Sequence, residues 1–239
     1  SGYFNPAIGN LIEAWGFHRD QNATDRPNSI LIDNLQRNLP HMSEINIHRG
    51  YIESKNKNIQ LDLGGYAKGY ALDQAKKILS ENNINNALIN IGGNILALGK
   101  HGDRNWVVGI QNPRKPNPIG SISLNPGWSI GTSGDYQRYF IVDNQRYSHL
   151  IDPNTGYPAT NSQSATVLLP PIESSGTLSD VYSKPLFIAP EKLKFSIAKE
   201  LGIDFYMIVM ADGKISISND MLNVIKWHEK IDEKNITVH

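Results

Sequence analysis

Apolar residues recur at helical spacing near the head of the chain: Ile8, Leu11, Ile12 and Trp15 follow Pro6, and Gly16 closes the run. That spacing puts one apolar stripe on a helix, with proline tolerated at its start and glycine at its end. A second short helix is predicted over 29–37, where Ile30, Leu31 and Leu35 are apolar. From Ile45 the runs shorten and alternate: Ile45-Asn46-Ile47, Tyr51-Ile52 and Ile59-Gln60-Leu61, joined by polar turns, read as strands. A longer helix is predicted over 67–81, with Tyr70, Ala71, Ala75 and Ile78 on one face. Strand patterns then dominate over 87–91, 95–98, 106–110, 121–124, 128–130 and 165–169, with a hairpin around Asp143-Asn144. The last third alternates a helix over 190–201 with strands over 205–210 and 214–217. Strands and helices do not alternate regularly, so the fold class is α+β, with largely antiparallel sheets, rather than a doubly wound parallel sheet. Neither a repeat nor a low-complexity linker breaks the chain, and 1–239 reads as one domain.

Composition narrows the function classes. A chain of 239 residues can bury a core without disulfides or a structural metal. Lys plus Arg and Asp plus Glu number 23 each, so no global field steers it toward nucleic acid or an anionic membrane. Without cysteine there is no disulfide framework, thiolate metal site or Cys nucleophile. No apolar run approaches the roughly 20 residues that span a bilayer. The opening residues lack the basic and apolar regions of a signal peptide.

Five segments have residues suited to chemistry. Asp62 to Ala71 stands where a strand gives way to a helix, and its glycines with Lys68 suit either a phosphate at the helix start or a plain tight turn. Asn90-Ile91-Gly92-Gly93-Asn94 reads most simply as a turn between strands. Thr132-Ser133-Gly134-Asp135-Tyr136 offers hydroxyls and N–H groups that suit ligand oxygens or an ordinary turn, with Ser133 and Gly134 as the binding candidates. His149 and Asp152 are either a base with its orienting carboxylate or a satisfied histidine beside an Asp-Pro turn. Asp180 lies among apolar residues and, if buried, needs a partner such as a metal, Lys184 or a helix N-terminus, while Pro185 argues against a continuous helix there.

In this order the segments resemble the ApbE family of flavin transferases. Gly2-Tyr3-Phe4-Asn5-Pro6 with Trp15-Gly16-Phe17 is similar to an early family block, and Trp106 to Pro113 matches a further one. The likeness runs to about Ile188. It implies a two-lobed fold of the T-fold-related kind and an enzyme that cleaves FAD at the pyrophosphate. FMN then passes to a Thr or Ser hydroxyl of an acceptor protein and AMP is released. By the same resemblance Asp62, Lys68 and Ile151 line the flavin nucleotide site, and His149 is the base for the acceptor hydroxyl, with Asp152 beside it. Mg2+ would be held by the Asp180 carboxylate and the Gly65 carbonyl.

The chain departs from the family pattern in two places. The metal hydroxyl expected four residues after the aspartate is Lys184, so either Ser183 substitutes or Lys184 sets its own charge on the pyrophosphate. Family members also carry a region before the Gly2 block, so the chain reads as N-terminally truncated. Any lipid anchor and targeting segment would lie outside it, and an extracytoplasmic location is expected. FAD pyrophosphatase activity, or FAD carriage without catalysis, are the alternative functions.

Overall fold

A computed structural model describes residues 2–19 and 25–239. Ser1, the first of the opening residues, lies outside them, whereas the block from Gly2 is described. The chain begins with α1 (Gly9–Ala14), α2 (Ser29–Arg37), the hairpin β1 (Ile45–His48) and β2 (Tyr51–Ser54), and α3 (Ala67–Glu81). Next come β3 (Ala87–Ile91), β4 (Asn94–Leu98), β5 (Trp106–Gln111), β6 (Pro118–Leu124), β7 (Ser129–Gly134), β8 (Tyr139–Val142), β9 (Gln145–Ser148) and β10 (Ser162–Leu169). The remainder is α4 (Ser175–Ile188), α5 (Glu191–Glu200), β11 (Phe205–Met210), β12 (Ile215–Ile217), α6 (Asn219–Val224), β13 (Ile225–Trp227) and β14 (Ile236–Val238).

The α+β class holds. Seven strands form one sheet in the order β14-β12-β11-β10-β7-β4-β3, antiparallel throughout except where β14 runs parallel to β12. Successive side chains on a strand point to opposite faces, and β10 and β11 contribute to two of the three buried clusters. Ala165, Val167, Leu169, Tyr206 and Ile208 pack with Leu186, Phe187 and Ile197 of α4 and α5. Leu168, Met207 and Val209 pack with Val108, Ile122, Leu124 and Ile225 of the three-stranded sheet β13-β6-β5. A third cluster, around Leu11, Trp15, Ile32, Phe140 and Tyr147, joins α1 and α2 to the β8–β9 hairpin.

Four local expectations fail, each for a physical reason. Thr132-Ser133-Gly134 is not a turn but the end of β7, held in the sheet by pairing with Ser164, Ala165 and Thr166 of β10. Ile59-Gln60-Leu61 is not a strand: Gln60 makes a single bridge to Ile8, and its carbonyl accepts from the Gly9 N–H at 2.7 Å. On α3, Tyr70 and Ile78 face outward, 47% and 58% exposed, while Gly69 and Leu72 form the buried edge. The neighbour is α4, and small residues let the two helix backbones approach. Finally, α4 is continuous through Pro185, because eleven of its fourteen residues are buried and tertiary packing overrides local propensity.

Candidate active site

A cavity of about 460 Å³ opens between the third cluster, the start of α3, the end of β7 and α4. The stretch before α3 is tied down at both ends. The Asp62 N–H donates to the Pro6 carbonyl (2.8 Å), and the Asp62 Oδ1 accepts from the Gly64 N–H (2.8 Å). This turn delivers Asp62, Gly64, Gly65 and Lys68 to the cavity wall. Gly65 permits a close approach: a Cβ there would stand 3.0 Å from the Phe4 ring and 3.1 Å from the Lys184 Cε, tighter than side chains usually pack. Gly69, one turn on, would collide with the Gly176 carbonyl at 2.5 Å if it carried a Cβ. That contact lets the Gly69 N–H donate to Asp180 Oδ2 at 3.0 Å.

Asp180 is fully buried, and Lys184 is almost so. The Lys184 Nζ donates to Asp180 Oδ1, forming an ion pair, and to the Asp180 carbonyl at 2.7 Å. Burial pushes the Lys184 ammonium down to about 8; the Asp180 carboxylate opposes this, and Lys68 adds to the fall. Ser183 Oγ donates to the Asp180 carbonyl (2.7 Å), which uses its one proton, so Ser133 Oγ is the donor in their 2.7 Å contact. Lys184, Ser133 and Gly134 line the cavity, whereas Asp180 and Ser183 stand behind it.

On the opposite wall, His149 is fixed through its backbone N–H and its Nδ1, both directed at the Arg138 carbonyl (3.1 and 3.2 Å). A carbonyl only accepts, so Nδ1 carries the proton and Nε2 is the basic nitrogen of the neutral ring. Burial first, then the charges of Arg138, Lys68 and Lys184, push this imidazole down to about 4, with the Arg138 carbonyl opposing them. The ring is neutral at physiological pH and can accept a proton.

Most of the sequence-predicted site converges on the cavity: His149, Lys184, Asp62, Lys68, Gly65, Ser133, Gly134 and Ile151 all line it. Asp152 does not, and it does not orient His149. Its Oδ1 accepts from the Asn154 N–H and the Asn154 side-chain amide, both at 2.9 Å, and its carbonyl closes the turn to Gly156. The Asp-Pro turn pattern was therefore the whole of its signal. The Asn90–Asn94 segment is the turn it was read as, yet Gly92 also lines the cavity. Sequence reasoning missed Arg138, which anchors His149 and whose Nη2 donates to the Phe17 carbonyl at 2.6 Å. It also missed Asp73, whose carboxylate binds the start of α4. Neither lies in a motif with recognisable spacing.

The sequence model of the ApbE family matches residues 1–207. The chain belongs to the ApbE family. Among curated relatives, this ApbE chain is 38% identical over 220 residues to an FAD:protein FMN transferase of Rhodobacter capsulatus, covering 92% of itself and 41% of that protein. It is 32% identical over 214 residues to the FAD:protein FMN transferase of Escherichia coli K12, covering 87% of itself and 60% of the relative. The chain thus spans about two- to three-fifths of the length of these relatives. Among solved structures, the ApbE protein of Thermotoga maritima superposes with a TM-score of 0.83 at 31% identity, covering 93% of this chain and 72% of that one. The apo flavinyl transferase ApbE of Pseudomonas stutzeri gives 0.76 at 25% identity, with 96% and 71% covered.

The magnesium site inferred from the family does not fit these side chains. A hard divalent cation takes oxygen donors. Here both Asp180 oxygens already accept hydrogen bonds, the Ser183 hydroxyl is held between Ser133 and the Asp180 carbonyl, and an ammonium stands at the carboxylate. Among the described residues no cluster of three or more His, Asp or Glu side chains could hold a metal ion. The set Gly65, Asp180 and Ser183 is therefore not a magnesium site while Lys184 stands in it.

Proposed function

We propose that this chain carries the active site of an FAD:protein FMN transferase. The observation that supports it best is the pairing across one cavity of a neutral, anchored His149 with two lysines, Lys68 and Lys184. Phosphoryl transfer asks mainly for positioning and for cations on the phosphate oxygens. In this reading the FAD pyrophosphate lies at the start of α3 against Lys68 and Lys184. The flavin half rests on the apolar side formed by Tyr3, Phe4, Ile12 and Ile151. The acceptor hydroxyl oxygen attacks the phosphorus of the FMN half while His149 Nε2 takes its proton. The new O–P bond forms as the bond to the AMP phosphate breaks, and AMP leaves with the electron pair. Arg138 and Phe17 orient the imidazole, and the partners are therefore FAD and a protein presenting a Thr or Ser.

The test is incubation of the chain with FAD and a Thr-containing acceptor peptide, read by intact mass spectrometry. An FMN adduct on the peptide, matched by AMP, is the expected result. AMP and free FMN without an adduct would mean that water is the acceptor and the chain is a pyrophosphatase. Neither AMP nor an adduct would refute both.

A further inference from the structure

We infer that the Lys184 ammonium takes the place of a divalent metal in this site, so that FAD cleavage here requires no metal ion. The inference rests on the FAD-cleaving reading above and specifies its source of positive charge. Three observations carry it. The Lys184 Nζ is held at a fixed point by Asp180 Oδ1 and the Asp180 carbonyl, within a helix turn whose Asp180, Ser183 and Lys184 are buried. Its stem packs over Gly65, just before the start of α3, where a Cβ would stand 3.1 Å from the Lys184 Cε and crowd it. It nevertheless reaches the cavity wall, whereas the Asp180 carboxylate stays behind it and is pinned from the other side by the Gly69 N–H.

The charges account for Lys68 as well. A divalent ion beside Asp180 would leave the site one unit positive, whereas Lys184 beside Asp180 leaves it neutral. The missing unit on a pyrophosphate must come from elsewhere on the wall, and Lys68 lines the same cavity. Arg138 is committed to the Phe17 and Arg19 carbonyls through its Nη2. An ammonium offers only N–H donors, so it can stabilise phosphate oxygens as a point charge but cannot share them with Asp180 as a metal would. The two lysines together thus form the electrophilic side of the site, with Lys184 fixed and Lys68 on the rim of α3.

Two readouts on the same full chain test this. In the first, AMP release from FAD is followed in excess chelator and in magnesium. Equal rates, within about twofold, are expected for the wild type; Lys184→Thr should be slow in chelator and recover at least tenfold with magnesium. Arrest of the wild type by chelator, with rescue by magnesium, would overturn the inference. The second needs no turnover: Mn2+ binding is measured by electron paramagnetic resonance, with Mn2+ as the probe. The wild type should bind no stoichiometric Mn2+ and Lys184→Thr should bind one equivalent; a bound equivalent in the wild type would overturn the inference even if Lys184→Thr fails to fold. If FAD gives no AMP under any condition, the proposed function falls and metal-free cleavage with it, while Mn2+ bound by Lys184→Thr and not by the wild type would still show that Lys184 occupies a metal position.

Discussion

Replacing Asp73 by Ala should destabilise the protein although the residue lies outside the hydrophobic core, because its carboxylate holds the start of α4. The first residue before α4, Ser174, is in the left-handed region at φ 58° and caps nothing with its side chain. The cap comes instead from the neighbouring helix. Asp73 Oδ1 accepts from the Gly176 N–H at 2.9 Å, and Oδ2 accepts from the Thr177 N–H at 2.8 Å and the Thr177 hydroxyl at 2.6 Å. These are the orphan donors of a helix N-terminus, and a carboxylate there also opposes the helix dipole. Hydrogen bonds to a charged group contribute about 1.5–3 kcal/mol each, and losing a capping side chain costs ~1–2 kcal/mol. The three contacts share one carboxylate and are only partly buried, so water recovers some of the loss. About 2–3 kcal/mol is the expected destabilisation by Asp73→Ala, lowering Tm by roughly 5–10 °C in a chain of this size. Asp73→Asn keeps one acceptor oxygen and should lose about half as much. Urea unfolding followed by tryptophan fluorescence measures both. A change below about 0.5 kcal/mol for Asp73→Ala, the range of an ordinary surface substitution, would refute the idea that α3 caps α4.

Further outcomes follow from the same geometry. Gly69→Ala would drive a Cβ into the Gly176 carbonyl, so it should destabilise by about 1–3 kcal/mol and weaken FAD binding in a fluorescence titration; unchanged FAD affinity would separate the helix contact from the site. His149→Ala should slow AMP release ~10²–10⁴-fold, the range for loss of a general base, and a loss under about tenfold would remove it from the chemistry. His149 is lowered to about 4, chiefly by burial and further by Arg138, Lys68 and Lys184, so its neutral form persists down to that pH; the acid limb of kcat/KM, which reports the free enzyme, should fall near 4, and a limb near the ordinary value of 6.5 would contradict the burial. Lys194, which donates to the Leu186 and Phe187 carbonyls at the end of α4, is pushed by burial to about 7. Its folded-state pKa is depressed, so its contribution to stability should rise with pH between about 7 and 10.5; in denaturant titrations the increment should vanish in Lys194→Met, and an unchanged increment would place it elsewhere.

What could be read before the structure was whatever is encoded locally. Most strands of the main sheet and the start of α3 declare themselves through alternation and through the Gly64-Gly65 turn, because neighbouring residues set them; β14 and the 132–134 end of β7 do not. His149, Lys68 and Ser133 came from local composition and family order together, and the cavity gathers them. Residues whose meaning depends on a distant partner were invisible. Asp73 acts on an N–H more than a hundred residues away, and Arg138 acts through a backbone carbonyl. Asp152 misled for the opposite reason, since a turn-forming carboxylate and a catalytic one look alike in sequence. Pro185 predicted a break that burial of both flanks of α4 overrides. Even Lys184, conspicuous as a departure from the family pattern, gained its meaning only once its amine was found against Asp180 at the cavity wall.

The account stands or falls on whether this cavity cleaves FAD between its two phosphates. The most direct measurement is chromatography of the nucleotide products after the chain is incubated with FAD, alongside a Lys68→Met variant. Formation of AMP in step with loss of FAD, markedly slower in Lys68→Met, is the predicted result. FAD bound tightly and recovered intact, by wild type and variant alike, would contradict it and leave the chain a flavin carrier.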